Sequence, residues 1–417
     1  MSSRRLGGAL SSLRYRDFRL VAVGNMVSQL GFWSQYVGVG WAARELTESN
    51  FLVTLVFAAQ FFPSLLLSSV AGVMADRYDR RRLVIAGNLA MVLPPILLGV
   101  LVETDRIGIA ALVALVFLGG CGQAFTQPAT MAFVPSLVPP EQLHSAIALN
   151  SGLMNSTRVV GPTLGSAIIN AWGVAFAFFT NALTFLGVAG ACGLVRTRPP
   201  ASSLARDGLV RQLRSGAAYA RANRAVARLI LMAAMINFFL MQGPLMPIIA
   251  RDVLDGGVST YGLLSSAPGV GFVLGAIVAA ALQDGRQRRA ALVVCAVGVG
   301  ASLLTVGMSR SIPMTVVALG FFGLTYFTFN TIVTTMLMSA ASDNYRGRVM
   351  GLYGSLTVGM IPINSLIAGG LASAVGAPLT VGTCGVVILV CTGLFLASRS
   401  LATIKSGTEE PQVAVAV

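Results

Sequence analysis

The chain has 417 residues, is 55% hydrophobic and only 11% charged, and carries a formal net charge of +14. A soluble domain has about 25% charged residues, so this composition, with a mean hydropathy of +0.78, excludes a soluble enzyme or scaffold and indicates a polytopic membrane protein. The basic residues sit between apolar runs rather than over one folded surface, which argues against a nucleic-acid groove. The five cysteines (Cys121, Cys192, Cys295, Cys384, Cys391) lie in apolar runs without zinc-like spacing or a disulfide framework. The first apolar run is too long for the core of a cleavable signal peptide.

Taken in order, residues 1–17 form a basic cytoplasmic leader, and the first span covers about 18–42. Its Asn25, Gln29 and Trp33 advance in steps of four and share one helix face. Such a face looks at protein, through helix–helix hydrogen bonds, or at a water-filled cavity. Span two covers about 51–75 and span three about 83–102, where Pro94–Pro95 is expected to kink or interrupt the helix. Between them lies a short charged stretch, Gly72 to Arg82 (GVMADRYDRRR), with Arg77, Arg80, Arg81 and Arg82. The bias of basic loops toward the cytoplasm holds it inside. Span four (107–132) carries Gly119, Gly120 and Gly122, then Gln123 and Gln127. Span five (144–169) carries Asn150, Asn155, Arg158, Gly161, Pro162 and Gly165, and span six covers 172–194.

Residues 196–228 are hydrophilic, with eight arginines against the single acid Asp207. Leu204, Leu209, Leu213 and Ala217 can line one side of a helix on the cytoplasmic membrane surface, the basic face among anionic headgroups. Six more spans follow: 229–250 with Asn237 and Gln242, 260–282, 290–308, 313–338 with Tyr326 and Asn330, 349–373, and 378–397. Asp284, in QDGRQRR, follows Asp76 by 208 residues, about half the chain, which suggests an internal duplication. Under this topology the internal segments hold 24 basic residues and the external loops 4, so both termini are expected inside.

Two six-span halves, a basic linker and a loop repeated across them resemble the major facilitator superfamily. Gly72, Asp76, Arg77 and the pair Arg80–Arg81 resemble its signature between helices two and three. LRYRDFRL (13–20), WAARELTESN (41–50), ADRYDRRR (75–82) and PSLVPPEQLHSAIALN (135–150) look like the drug, macrolide and enterobactin exporter-like branch. VVGPTLG (159–165) resembles the helix-five signature of antiporter-type members, with Ser166 where a second glycine is common. The resemblance implies an all-α fold of twelve transmembrane helices in two pseudo-symmetric six-helix bundles, 18–195 and 229–398, with a cytoplasmic linker at 196–228 and tail at 399–417. It also implies an alternating-access secondary transporter in the plasma membrane. By the same resemblance Asp76 closes a cytoplasmic gate with Arg77 and Arg81, Asp284 echoes it in the second half, and Gly161, Pro162 and Gly165 help seal the outer pathway.

The spans themselves bear on chemistry. No Asp or Glu sits near the middle of any span, although proton-coupled transporters usually place a carboxylate there. His144, the single histidine, sits at the cytoplasmic start of span five. Arg158 is the one charge deep in a span, so it must face polar partners, either as a structural donor or as a contact for an anionic substrate. The expected cavity wall is Asn25, Gln29, Trp33, Gln123, Gln127, Arg158, Asn237, Gln242, Tyr326 and Asn330, with Phe238, Phe239, Met241 and Phe327 nearby. Such a wall suits a bulky, partly apolar solute. The expected function is export of small amphipathic molecules (drug, siderophore or secondary metabolite), driven by the proton gradient. A lysophospholipid transporter or an uptake permease of the same fold is the alternative. The expected partners are the substrate, protons and membrane lipids, with no cofactor, metal or nucleic acid, and the chain is expected to act as a monomer.

Overall fold

A backbone in hydrocarbon has no water to bond, so long apolar runs must form helices that satisfy their own N–H and C=O groups. The computed structural model describes residues 11–196, 209–282, 284–357 and 359–397. Its helices are α1 (Arg16–Leu46), α2 (Asn50–Arg77), α3 (Arg80–Ala90), α4 (Leu93–Glu103), α5 (Ile109–Phe133), α6 (Leu143–Trp172) and α7 (Val174–Gly193) in the first half. The second half has α8 (Leu209–Ala222), α9 (Arg224–Phe238), α10 (Gln242–Ile248), α11 (Val258–Ala281), α12 (Gly285–Met308), α13 (Ile312–Ala340), α14 (Asp343–Thr357), α15 (Ile361–Val375) and α16 (Ala377–Ala397). This is an all-α polytopic membrane protein.

Among the described residues, ten helical segments are long and apolar enough to cross a membrane, against the twelve spans expected. The shortfall is α1 and α6, of 31 and 30 residues. Their polar residues, Asn25, Gln29 and Gln35 in one and Asn150, Asn155 and Arg158 in the other, dilute the apolar signal. The proline expectation holds: the third segment breaks at Met91–Val92, just before Pro94–Pro95. The segment Arg224–Val253 breaks after Phe238 and ends in a π-helical turn, Ile249–Val253. Large apolar side chains face outward, with Val317 71% and Leu183 68% exposed, as on a lipid-bathed surface.

Contacts divide the chain into two compact units. The first is Met1–Arg206 with Met246–Ser266, and the second is Asp207–Leu245 with Ala267–Val417. Residues 246–266, expected in the second bundle, thus group with the first six spans. In the first unit, α2 packs on α5, and α1 on α6 and α7. A core at one end gathers Phe18, Val21, Val84, Ala129, Phe133 and Cys192. In the second unit, α12 packs on α13 and α16. Of the expected amphipathic linker, residues 197–208, with Leu204, lie outside the described residues, as do the side chains of Leu209 and Leu213. What α8 does bury is Gly216, Tyr219 and Ala220, one face at i, i+3 and i+4. Tyr219 stacks on Tyr345 with ring centroids 4.6 Å apart, and its hydroxyl accepts the Ser342 N–H at 3.1 Å.

The glycines of α6 set how closely α1 and α6 approach. A Cβ at Gly161 would lie 2.5 Å from Trp33 Cβ, and one at Gly165 would lie 2.5 Å from Ser34 Cα. At Gly72 a Cβ would meet nothing within 4 Å. Gly165→Val is therefore expected to lower the thermal stability of the purified protein, by about 1–3 kcal/mol of overpacking strain. Gly72→Ala is expected to leave stability unchanged or raise it, since alanine favours a helix over glycine. Thermal unfolding of both variants in one detergent checks the pair.

Candidate functional site

The α1–α6 approach builds the polar centre of the first unit. Because Gly161 lets α6 press on Trp33, Arg158, one turn earlier on the same face, comes to lie over the indole. Its guanidinium carbon sits 5.8 Å from the ring centroid, within cation–π range. Trp33 is half-buried, and its Nε1 is buried with no hydrogen-bond partner. Tyr36, three residues on, meets Trp33 edge-on at 5.4 Å and rests on Phe57 at 4.9 Å. Arg158 is exposed although it lies half-way along α6. Asn25 is buried and Gln29 half-buried; Asn25 lies about 12 Å from Trp33 along the α1 axis at 1.5 Å per residue. Gln123 is half-buried and Gln127 exposed, both on α5. Gln35, outside the expected set, accepts from Asn181 Nδ2 at 2.6 Å and ties α1 to α7.

In the second unit Asn237 and Asn330 are linked to neighbouring helices through tyrosine hydroxyls. The Tyr326 hydroxyl donates to Asn237 Oδ1 at 2.7 Å, and Asn237 Nδ2 donates to the Ala233 carbonyl at 2.8 Å. Asn364 Nδ2 donates to the Asn237 carbonyl at 2.8 Å. Asn330 Nδ2 donates to the Tyr326 carbonyl at 3.0 Å, and the Tyr353 hydroxyl donates to Asn330 Oδ1. The ring of Phe322 stacks on Tyr326 at 5.4 Å. Asn237 sits just before the break after Phe238, where a helix end leaves carbonyls without intrahelical partners. This network therefore pins the broken helix to α13, and through Asn364 to α15. Tyr353 and Asn364 lie outside the expected set, and their partners are supplied by helix packing. Gln242 opens α10 with its Oε1 buried and unpartnered. Met241, expected near the cavity wall, is 1% exposed and belongs to the core.

The charged loop is a set of helix caps. Asp79 caps α3, accepting from the Arg81 and Arg82 N–H groups at 2.9 and 3.3 Å. Arg81 donates from Nε to the Cys192 carbonyl at 2.8 Å and from Nη2 to the Gly193 carbonyl at 2.5 Å. Arg80 Nη1 donates to the Ala132 carbonyl at 3.3 Å, near the end of α5. Both arginines thus satisfy orphan carbonyls at the negative ends of helix dipoles. Arg16, from LRYRDFRL, joins them on Leu194 O at 3.3 Å, and Asp17 accepts the Arg196 N–H at 3.0 Å. Arg77 is exposed, and Asp76 lies in the last turn of α2 with its side chain outside the described residues.

Asp284 caps α12 through the Arg286 N–H at 3.3 Å. Its structural counterpart is therefore the N-cap Asp79, not Asp76, which corrects the pairing by spacing. The repeat itself is real in register. The first two helices of each half, at Arg16 and Arg224 and at Asn50 and Val258, open 208 residues apart. The third pair, at Arg80 and Gly285, opens 205 apart, because α11 has 24 residues where α2 has 28. Among the described residues no group of three His, Cys, Asp or Glu side chains is placed to hold a metal.

A profile of the family described as transmembrane secretion effector matches residues 7–415. The chain belongs to that family, within the major facilitator superfamily. It is 23% identical over 386 residues to macrolide efflux protein A of Streptococcus pyogenes, covering 87% of this chain and 92% of the relative. It is 25% identical over 369 residues to the enterobactin exporter EntS of Shigella boydii serotype 4, covering 85% of each. Among solved structures it is similar to an inward-facing, occupied bacterial homologue of the human lysosomal transporter Spinster, at 15% identity with a TM-score of 0.73, covering 95% of this chain and 99% of the other. That likeness shows the major facilitator fold. The family is one of transporters, so the protein is a membrane transporter and not an enzyme.

The network around Asn237 makes a stability prediction. Asn237→Leu leaves the Tyr326 hydroxyl without its acceptor and is expected to cost about 1–3 kcal/mol. Tyr326→Phe removes the donor as well and, added to Asn237→Leu, is expected to cost little more. Thermal unfolding of the two single variants and the double variant tests this, and strict additivity would refute the bond.

Proposed function

We propose that this protein is a twelve-span, two-bundle secondary transporter that exports small amphipathic molecules across the plasma membrane by alternating access. In this reading α1 and α6 cross the membrane with the ten more apolar segments, and the termini and the linker lie in the cytoplasm. The 24 to 4 distribution of basic residues supports that orientation. Membership in the transmembrane secretion effector family, and the efflux and export functions named for the two relatives, support the direction of transport.

The observation that carries the proposal is the Arg158–Trp33 pair. A guanidinium exposed half-way along a membrane helix cannot face hydrocarbon at modest cost, so it faces an aqueous path. The indole beneath it offers an apolar plate. Together they form a surface for a solute with an apolar body and a polar or anionic group. Asn25, Gln29, Gln123 and Gln127 add amides on the same six spans. We place Asp76 and Arg77 at the cytoplasmic gate. Coupling to the transmembrane proton or electrical gradient supplies the energy.

Arg158→Gln tests the site. If Arg158 reads substrate charge, binding of anionic amphiphiles should fall about tenfold or more while neutral and cationic analogues are spared, with unfolding temperature unchanged. Equal loss across all three classes, with lowered stability, would assign Arg158 to structure instead.

A further inference from the structure

The first unit contains a second charged contact, apart from the loop caps and from Arg158. Arg44 lies in the last turn of α1, and Asp252 lies in the π-turn that follows α10. Arg44 grips Asp252 with two prongs: Nε donates to Oδ1 at 3.1 Å and Nη2 to Oδ2 at 2.5 Å. Its Nη1 donates to the Thr47 carbonyl at 2.9 Å, so the guanidinium is fixed in one orientation. Arg251 Nη1 donates to the Arg44 carbonyl at 2.9 Å, a second cation on the negative end of α1. The Arg44 side chain is 11% exposed and that of Asp252 31%. A two-pronged, partly buried pair of this kind has directional strength that a flexible surface pair lacks.

The two residues are 208 apart, the same offset that separates the openings of the first two helices of each half. They occupy equivalent positions in the two repeats, each near the end of its repeat's first span, and carry opposite charges there. Around them residues 246–266 close on the first six spans. The Thr163 N–H donates to Ser266 Oγ at 3.0 Å, and the two hydroxyls meet at 2.7 Å. Asn170 Nδ2 donates to Ser259 Oγ at 2.5 Å. A Cβ at Gly262 would lie 2.5 Å from Ser166 Cβ, so Gly262 supplies the clearance that a glycine at 166 would have given. All these contacts fall in one compact unit, on the side of the spans away from the basic loops.

We propose that Arg44–Asp252 is an outer latch. It holds residues 246–266 on the first-half helices while the outer end is shut, and it must separate before Thr163, Ser166 and Asn170 can part from Ser266, Gly262 and Ser259. The latch rests on the alternating-access reading, but its test follows accessibility and not transport, so either can fail without the other. The probe is Ser266→Cys, since Ser266 is 5% exposed, in a variant lacking the five native cysteines. An impermeant maleimide is added outside intact cells, and the labelling rate is read against surface expression. Labelling should be slow with the latch intact. Arg44→Gln and Asp252→Asn should each raise the rate several-fold, and the charge exchange Arg44→Asp with Asp252→Arg should return it most of the way. If either neutral variant fails to reach the membrane, Arg44→Lys, which keeps the charge and loses the second prong, should give an intermediate rate. A rate unchanged by these single substitutions, or an exchange variant that labels as fast as the neutral ones, overturns the latch.

Discussion

The constraint on which the structure depends is that no polar group may be left facing hydrocarbon. It dictates helices in the first place, and it then decides which helix faces can touch lipid. Most helices meet it by composition, with exposed valine and leucine outside and small residues inside. Two cannot: α1 and α6 are too polar to lie in lipid on every side, and they pair with each other through Gly161 and Gly165 at Trp33 and Ser34. That pairing brings Arg158 over Trp33. The same contact therefore packs the first unit and presents a charged group over an aromatic plate.

Charges outside the spans obey the same rule at the helix ends. Each helix finishes with carbonyls that have no intrahelical partner. Arg16, Arg80 and Arg81 reach the last carbonyls of α7 and α5. The loop so rich in arginine thus braces its own bundle, and the gating role proposed for Asp76 and Arg77 acts on top of that brace. In the second unit the break after Phe238 is held by hydrogen bonds from amides and phenols. Asn237, Tyr326 and Asn330 are therefore committed to the fold first, which limits what they can offer a solute.

Much of this was legible in the sequence because membrane helices announce themselves. Apolar runs gave ten of the twelve expected spans, Pro94–Pro95 gave the break in the third, and the loop from Gly72 to Arg82 gave the superfamily. Other features were not legible, for physical reasons. Spacing matched Asp284 to Asp76, but the cap at Asp79 is decided by where α3 starts, and α11 is four residues shorter than α2. Tyr353 and Asn364 stood in plain view in an apolar run, yet partners 23 and 127 residues away appear only when helices pack. The grouping of residues 246–266 with the first six spans is a tertiary fact with no local signal.

The central claim is that an aqueous path reaches the Arg158–Trp33 pair. The most direct measurement places the sole cysteine at position 158 and compares a small, charged, water-soluble thiol reagent with an apolar one in isolated membranes. The account predicts ready reaction with the charged reagent, slowed by a bound amphiphilic substrate. Reaction with the apolar reagent alone would put position 158 in lipid and contradict the account.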